Sequence, residues 1–287
     1  MTMFVSLLLL TAACAEQANE PAGTSSSTTA GDTFVDELTS ACDALEVKND
    51  EVNAARSPQE LGSLGHEYVE ATERFVQQAR QLTAPTEISD TFKEYLETLE
   101  ASSLITEQQL EARRASKRER LKLSLEGARA QIETFELAEQ AHLPDSCPPA
   151  DEQGVYGYLF VAEANAGCFN LGTELNELGR LQARTETRAE TAKMLEFMQD
   201  LGLALAAAIE RAIPPELRGV PDLGRLVDLY EESAAAVGDV RSAFLSGERA
   251  AYEKALQAQQ RTSQQADQIA SALLLSECVN FIGLDGT

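Results

Sequence analysis

The amino-acid sequence predicts an all-α protein of two tandem up-down four-helix bundles, each closed by a disulfide. Ala, Leu, Glu and Gln dominate the composition, aromatic residues make up only 6%, and Trp is absent. Straight-chain residues and Ala lose little side-chain entropy in a helix, so this composition favours helices. The hydrophobic content of 44% is sufficient for real cores. The length of 287 residues fits two domains.

An internal repeat is the second observation behind this fold class. The four cysteines concerned are Cys42, Cys147, Cys168 and Cys278. The first and third are 126 residues apart, and the second and fourth are 131 residues apart. Between them, segment 84–88 (Ala-Pro-Thr-Glu-Ile) matches segment 213–217 (Ile-Pro-Pro-Glu-Leu) at a shift of 129. Three landmarks in the same order, at nearly the same shift, predict two copies of one unit.

Capping boxes and prolines mark where the helices of the first copy begin. Segment 57–60 (Ser-Pro-Gln-Glu) is a capping box with Pro at the first helical position. Pro85 interrupts the chain before the third helix, and segment 116–119 (Ser-Lys-Arg-Glu) is the capping box of the fourth. The predicted helices are Phe34 to Arg56, Pro58 onward, Ile88 onward and Lys117 to Leu143.

The second copy shows the same four-helix pattern, with a further capping box formed by Thr187 and Glu190. Its predicted helices are Val155–Leu181, Thr187–Ala212, Pro221–Leu245 and Glu248–Cys278. The predicted organisation is a signal peptide at 1–13, a spacer at 14–31, bundle 1 at 32–148, a linker at 149–153, bundle 2 at 154–280 and a tail at 281–287.

The N-terminal segment indicates export. Val5 to Leu10 form an apolar run, and Thr11, Ala12 and Ala13 precede Cys14. This segment resembles the signal peptide of bacterial lipoproteins, in which small residues precede a cysteine that is acylated. The resemblance implies lipidation of Cys14 and a protein held at the outer face of the cytoplasmic membrane or in the cell envelope. Residues 15–31, rich in Ser, Thr, Gly and Ala, are expected to form a flexible spacer.

Two alternatives for this segment remain open. Ala13-Cys14-Ala15 also fits the small-x-small pattern of ordinary secretory cleavage, which would release the protein. The other alternative is a permanent membrane-spanning helix, but the apolar run is far shorter than the roughly 20 residues that such a helix needs. No Lys or Arg precedes the run, although signal peptides normally begin with positive charge, so an upstream start is a further hypothesis.

The four remaining cysteines are predicted to form structural disulfides, because disulfides persist in exported chains and four cysteines permit three pairings. In an up-down-up-down bundle the first helix begins, and the fourth ends, at the same pole. Cys42 lies near the start of a first helix and Cys147 follows the end of a fourth, as do Cys168 and Cys278. We therefore expect Cys42–Cys147 and Cys168–Cys278. No CxxC spacing indicates a zinc or redox site.

The formal net charge of −24 limits the partners. A surface this acidic repels phosphate backbones and anionic lipid headgroups, so nucleic acid is not expected as a partner. Membrane attachment is expected through the lipid anchor.

One cluster of basic residues is an exception to the negative charge of the chain. It consists of Arg113, Arg114, Lys117, Arg118, Arg120 and Lys122. It could dock an anionic polymer or lipid head, or it could be a solvated turn that balances nearby Glu.

The candidate metal ligands are the two histidines and two glutamates on the same predicted helices. Glu139 and His142 have the ExxH spacing that di-iron four-helix proteins use twice, but the second copy has Leu273 where His142 would align. His66 and His142 could form a mononuclear site with Glu70 and Glu139 if they faced each other. The alternative is two ordinary surface or helix-end histidines. Neither a metal nor a cofactor is predicted.

No sequence motif indicates nucleophilic catalysis, since the chain has no GxSxG elbow and no glycine-rich phosphate loop. The aromatic residues that open the second copy either pack in a core or domain interface, or line a small apolar pocket. They are Tyr156, Tyr158, Phe160 and Phe169. The sequence therefore favours a non-enzymatic envelope lipoprotein that binds an envelope protein or has a structural role. The alternatives are a carrier or sensor of a small ligand or cation and, third, an enzyme.

Overall fold

The computed structural model describes residues 30–147, 152–182 and 187–279. The predicted signal peptide, Cys14, most of the spacer, the first three residues of the linker and the tail lie outside this range. Within it the chain is all-helical, as predicted, and contains no strand. The α-helices are α1 (Ala30–Asn53), α2 (Pro58–Ala79), α3 (Ser89–Glu111), α4 (Lys117–Gln140), α5 (Glu152–Gln182), α6 (Arg188–Ala212), α7 (Pro221–Ser246) and α8 (Arg249–Ala272).

The chain divides into two compact units, Met1–Tyr158 and Leu159–Thr287. This division falls inside α5, whereas the sequence places the linker at 149–153. In the first unit α1 packs on α2, α2 on α3 and α3 on α4. In the second, α6 packs on α7 and α7 on α8. Consecutive helices joined by short connections pack side by side, because the connection leaves little freedom to go elsewhere.

The core of the first unit is aromatic at the end where α3 begins. Phe34 meets Phe92 edge to face, with ring centroids 5.2 Å apart, and Phe92 stacks on Tyr95 at 6.3 Å. All three side chains are buried. The core of the second unit is mainly aliphatic, and beside Tyr230 its largest fully buried side chains include Leu205, Ile209, Leu226, Leu229 and Leu275.

The three predicted capping boxes form to different extents. Thr187 and Glu190 make the complete reciprocal pair, since each side chain accepts from the other's backbone N–H. Ser57 accepts from the N–H of Glu60, but the Glu60 carboxylate accepts from the N–H of Arg56 instead of Ser57. Ser116 accepts from the N–H of Glu119 at 3.3 Å. Each helix nevertheless begins where its cap predicts, because one side-chain acceptor is enough to satisfy an orphan N–H.

Arg188 fixes the start of α6 against the end of α7. Its Nη2 donates to the carbonyl oxygens of Phe244 (2.7 Å) and Leu245 (2.6 Å), and its guanidinium lies 5.7 Å from the centre of the Phe244 ring. Gly247 follows in the left-handed conformation, with φ of 79°. A cation near the last carbonyls and a glycine just beyond them are the usual means of ending a helix.

The fourth helix of each unit ends earlier than predicted. The sequence extends these helices to Leu143 and Cys278, but α4 ends at Gln140 and α8 at Ala272. His142 (φ 50°) and Leu274 (φ 64°) are the only non-glycine residues with positive φ in the described part of the chain. They hold the two terminating turns, so the counterpart of His142 is Leu274 and not the aligned Leu273.

Both turns have the Schellman hydrogen-bond pattern. The N–H of Leu143 donates to the carbonyl of Ala138 at 3.0 Å, and the N–H of Leu275 donates to that of Ala270 at 2.8 Å. The residue before each donor occupies the left-handed position, where glycine is usual. His tolerates this conformation better than a bulky aliphatic residue, so the two turns carry unequal strain.

The turn at His142 generates a stability prediction. Because His142 is exposed and left-handed, His142→Gly removes strain and little packing. We expect the free energy of unfolding in urea to rise by about 0.5 to 1 kcal/mol. The control is Gln140→Gly in the last turn of α4, which should lower it by up to about 1 kcal/mol. A lower stability for His142→Gly would contradict this role of the turn.

Candidate functional site

The most distinctive structural site is a disulfide that links the first helix of each unit to the segment after its fourth. The pairs are Cys42–Cys147 and Cys168–Cys278, the pairing predicted from the sequence. All four cysteines are buried. The linked residues are 105 and 110 positions apart. Each bond therefore closes a large loop in the unfolded chain and lowers the conformational entropy of that state. In the chain-entropy model this stabilises the folded unit by about 4 to 5 kcal/mol.

A tyrosine from the third helix of each unit completes this site. The hydroxyl of Tyr95 donates to the carbonyl oxygen of Cys147 at 2.9 Å, and that of Tyr230 donates to the carbonyl of Cys278 at 3.0 Å. Burial raises the pKa of both hydroxyls above the usual tyrosine value. The hydroxyls therefore remain protonated and donate the hydrogen bond. We call each set of one disulfide and one tyrosine a closing site.

Neither tyrosine was expected from the sequence to have a structural role. Tyr95 and Tyr230 are 135 residues apart, close to the shifts of the cysteine landmarks. A search for a recurring tyrosine in the third helix of each copy could have found them. Their partner is a backbone carbonyl, which no sequence pattern displays.

The four candidate metal ligands form no metal site. His66, Glu139 and His142 are exposed, and His142 occupies the turn after α4. The Glu70 carboxylate lies 3.7 Å from the Arg74 guanidinium. Within the described ranges, no group of three or more His, Cys, Asp and Glu side chains could hold a metal ion. His66 therefore lies on the surface of α2, and His142 lies in the turn after α4.

The aromatic residues that open α5 pack in different places. Phe160 is buried among the residues of the second unit. Tyr158 belongs to the first unit, where its hydroxyl accepts from Nε2 of Gln109 at 3.4 Å. Burial raises the pKa of Tyr158, while hydrogen bonds with Ser124 and Gln109 partly offset the shift. Tyr156 and Phe169 are half-buried.

Gln109 holds the first turns of α5 onto α3 and α4. Its Nε2 also donates to the carbonyl of Leu123 at 2.8 Å. This side chain lies across Gly127 of α4, where an added Cβ would come within 2.5 Å of Nε2. A larger residue at this position would displace the Gln109 side chain, so glycine leaves room for the amide group to lie there.

An open groove of about 570 Å³ lies between α3 and α4. Its apolar lining residues are Ala101, Ile105 and Ala130. Its charged lining residues are Glu94, Glu97, Glu126, Arg129 and Glu133. Such a groove could accept a small cation or a basic segment, but its polar groups come from two helices only.

The basic cluster lies on the turn that connects α3 to α4. Arg114, Lys117, Arg118 and Lys122 are exposed. Arg120 folds back, and its Nη1 donates to the carbonyl of Ala115 at 2.6 Å. Lys122 lies 3.4 Å from Glu126 of the same helix.

Comparisons with protein-family models, curated proteins and solved structures found no match. Among the described helices, none is both long and apolar enough to cross a membrane.

The closing sites generate a second stability prediction. Tyr95→Phe and Tyr230→Phe each leave a buried carbonyl without its donor, so each should lower the free energy of unfolding by about 1 to 2 kcal/mol. Urea unfolding of the oxidised protein measures the loss. The two losses should add in the double variant, since the tyrosines lie in separate compact units.

Tyr252→Phe is the matched control for both substitutions. Tyr252 is half-buried beside the Phe244 ring, with centroids 6.3 Å apart. Loss of its hydroxyl should change the free energy of unfolding by less than about 0.5 kcal/mol. Equal losses in all three variants would show that the hydrogen bonds at the closing sites have no special weight.

Proposed function

We propose that this chain is a non-enzymatic envelope lipoprotein. Its two tandem up-down four-helix bundles act as a protein-binding or structural module outside the cytoplasmic membrane, attached through the lipidated Cys14. A spacer at residues 15–31 separates the module from the anchor. The partner class is an envelope protein, and no cofactor takes part.

The two buried disulfides are the observation that carries this proposal. Disulfides persist in oxidising compartments and are rare in reducing ones. Both bonds lie in the protein interior and have a structural role. Each is buried, and a tyrosine hydroxyl donates a hydrogen bond to the backbone carbonyl of one of its cysteines. Export is therefore supported independently of the N-terminal segment, whose resemblance to lipoprotein signal peptides supplies the anchor.

The repeated closing site supports the bundle architecture. In each unit it brings together the first helix, the third helix and the segment after the fourth. These elements meet at one pole in an up-down-up-down bundle, since alternate helices run in the same direction. A duplicated and covalently closed helical unit suits a scaffold that presents helix faces to a partner.

The described residues best suited to chemistry already have structural roles. Four cysteines are in disulfides, and the hydroxyls of Tyr95 and Tyr230 donate hydrogen bonds to backbone carbonyls. His142 forms a helix-terminating turn, and His66 is exposed on α2. These roles favour a binding or structural module over an enzyme.

The anchor is tested with Cys14→Ala in the full chain, expressed in a bacterial host that processes lipoproteins. We expect the protein to leave the membrane fraction and to lose incorporation of labelled palmitate, because the acylated thiol is absent. Thr24→Ala in the spacer is the matched control and should remain membrane-bound. Membrane retention of the Cys14→Ala protein without label would exclude the lipid anchor.

The second candidate is an extracytoplasmic carrier or sensor of a small ligand or cation. The groove between α3 and α4 favours it, because both carboxylates and apolar side chains line it. Native mass spectrometry of residues 15–287, purified from an oxidising compartment without refolding, separates the two candidates. The proposed function predicts a bare monomer lighter by the hydrogens of two disulfides. Additional mass from a metal or small molecule would favour the carrier.

A further inference from the structure

The turn between α3 and α4 concentrates positive charge in an otherwise acidic chain. Residues 113–122, which we call the basic turn, contain six of the 23 basic residues and a single acidic one, Glu119. The whole chain has a formal net charge of −24. The local charge is therefore opposite in sign to that of the molecule.

The structure presents this charge outward. Arg114 and Arg118 are exposed, and neither makes an ion pair with any other residue that the structure describes. Lys117 is exposed at the first position of α4. Lys122 lies 3.4 Å from the carboxylate of Glu126, and its own side chain is 73% exposed. The two arginines and most of the Lys122 side chain are therefore accessible to a surface outside the protein.

Screening decides whether the net charge of the molecule cancels this effect. The Debye length at physiological ionic strength is about 8 Å. A flat anionic surface in contact with the basic turn therefore interacts mainly with the charges of that turn. Carboxylates elsewhere on the protein are largely screened, so local attraction can outweigh the overall repulsion.

We propose that the basic turn docks on the anionic lipid headgroups of the membrane to which the chain is anchored. This inference rests on the proposed lipid anchor, which places the chain beside a bilayer. The tether is long enough, since the 15 residues between Cys14 and Ala30 span up to about 50 Å when extended. The 24 residues of α4 span only about 36 Å. The anchor supplies attachment, and the basic turn fixes which end of the first unit faces the bilayer.

The docking is tested with residues 15–287, which include every described residue but omit the anchor cysteine. Wild-type protein is sedimented with vesicles of phosphatidylcholine alone and with vesicles containing one-third phosphatidylglycerol. We expect binding only to the vesicles with phosphatidylglycerol, and loss of binding when salt shortens the Debye length to about 3 Å. Each basic residue near an anionic surface strengthens binding about fivefold. Arg114→Gln/Lys117→Gln/Arg118→Gln should therefore weaken binding roughly 100-fold.

Two further variants distinguish docking from general charge effects and from misfolding. Lys93→Gln/Arg249→Gln/Lys254→Gln removes the same charge from exposed positions outside the basic turn and should bind like wild type. Arg114→Lys/Arg118→Lys should also keep binding, because a bilayer needs positive charge and not guanidinium geometry. Urea unfolding checks that all variants are folded.

Several results would overturn the docking. These are no wild-type binding to anionic vesicles, equal loss in the two Gln variants, or binding to soluble inorganic polyphosphate without binding to vesicles. The anchor is judged separately by the Cys14→Ala fractionation. Failure of the anchor with intact vesicle binding would reject the lipoprotein proposal alone, and the reverse result would reject the docking alone.

Discussion

The closing site holds in place the fourth helix of each unit, whose buried side chains are mostly small or polar. The buried residues of α8 are Gln259, Ser263, Ala266 and Ala270, and those of α4 are Gly127, Ala128, Thr134, Leu137 and Ala138. Side chains this small or polar gain little from burial, at about 0.8 kcal/mol per buried methylene group. A disulfide just beyond the end of such a helix contributes about 4 to 5 kcal/mol of stability in the chain-entropy model, which offsets the weak apolar packing of the helix. The adjoining tyrosine then connects that end to the third helix.

This constraint explains why the turns after α4 and α8 tolerate an unusual backbone. A left-handed non-glycine residue costs on the order of 1 kcal/mol and persists only where its surroundings determine its conformation. At His142 and Leu274 the surroundings are the Schellman hydrogen bonds on one side and a buried disulfide a few residues beyond. The left-handed residue comes four or five positions before the cysteine, so each turn lies directly between the fourth helix and the disulfide.

Features that depend on local or periodic patterns could be predicted from the sequence. Composition predicted the helical class, capping residues predicted helix starts, and the positions of the cysteines in the predicted first and fourth helices predicted their pairing. The ends of α4 and α8 could not be predicted, because His142 and Leu274 stand where a glycine would have signalled a stop. Tyr95 and Tyr230 escaped because their partners are backbone carbonyls about 50 residues away. The ExxH spacing of Glu139 and His142 suggested a metal ligand, but the helix ends before the histidine, so the spacing has no helical face to act on.

The charges of the chain affect its approach to other molecules and surfaces more than its folding stability. The ion pairs on its helices are exposed, as in Arg74–Glu70 and Lys93–Glu97, and such pairs contribute little to folding. A net charge of −24 instead opposes compaction and self-association. At physiological ionic strength that repulsion acts over about 8 Å, so any close approach depends on the charges within reach of the contact. A surface that is acidic in most places and basic on one turn therefore discourages anionic partners everywhere except at that turn. Orientation relative to an anionic surface then follows from electrostatics, without a pocket or a specific contact.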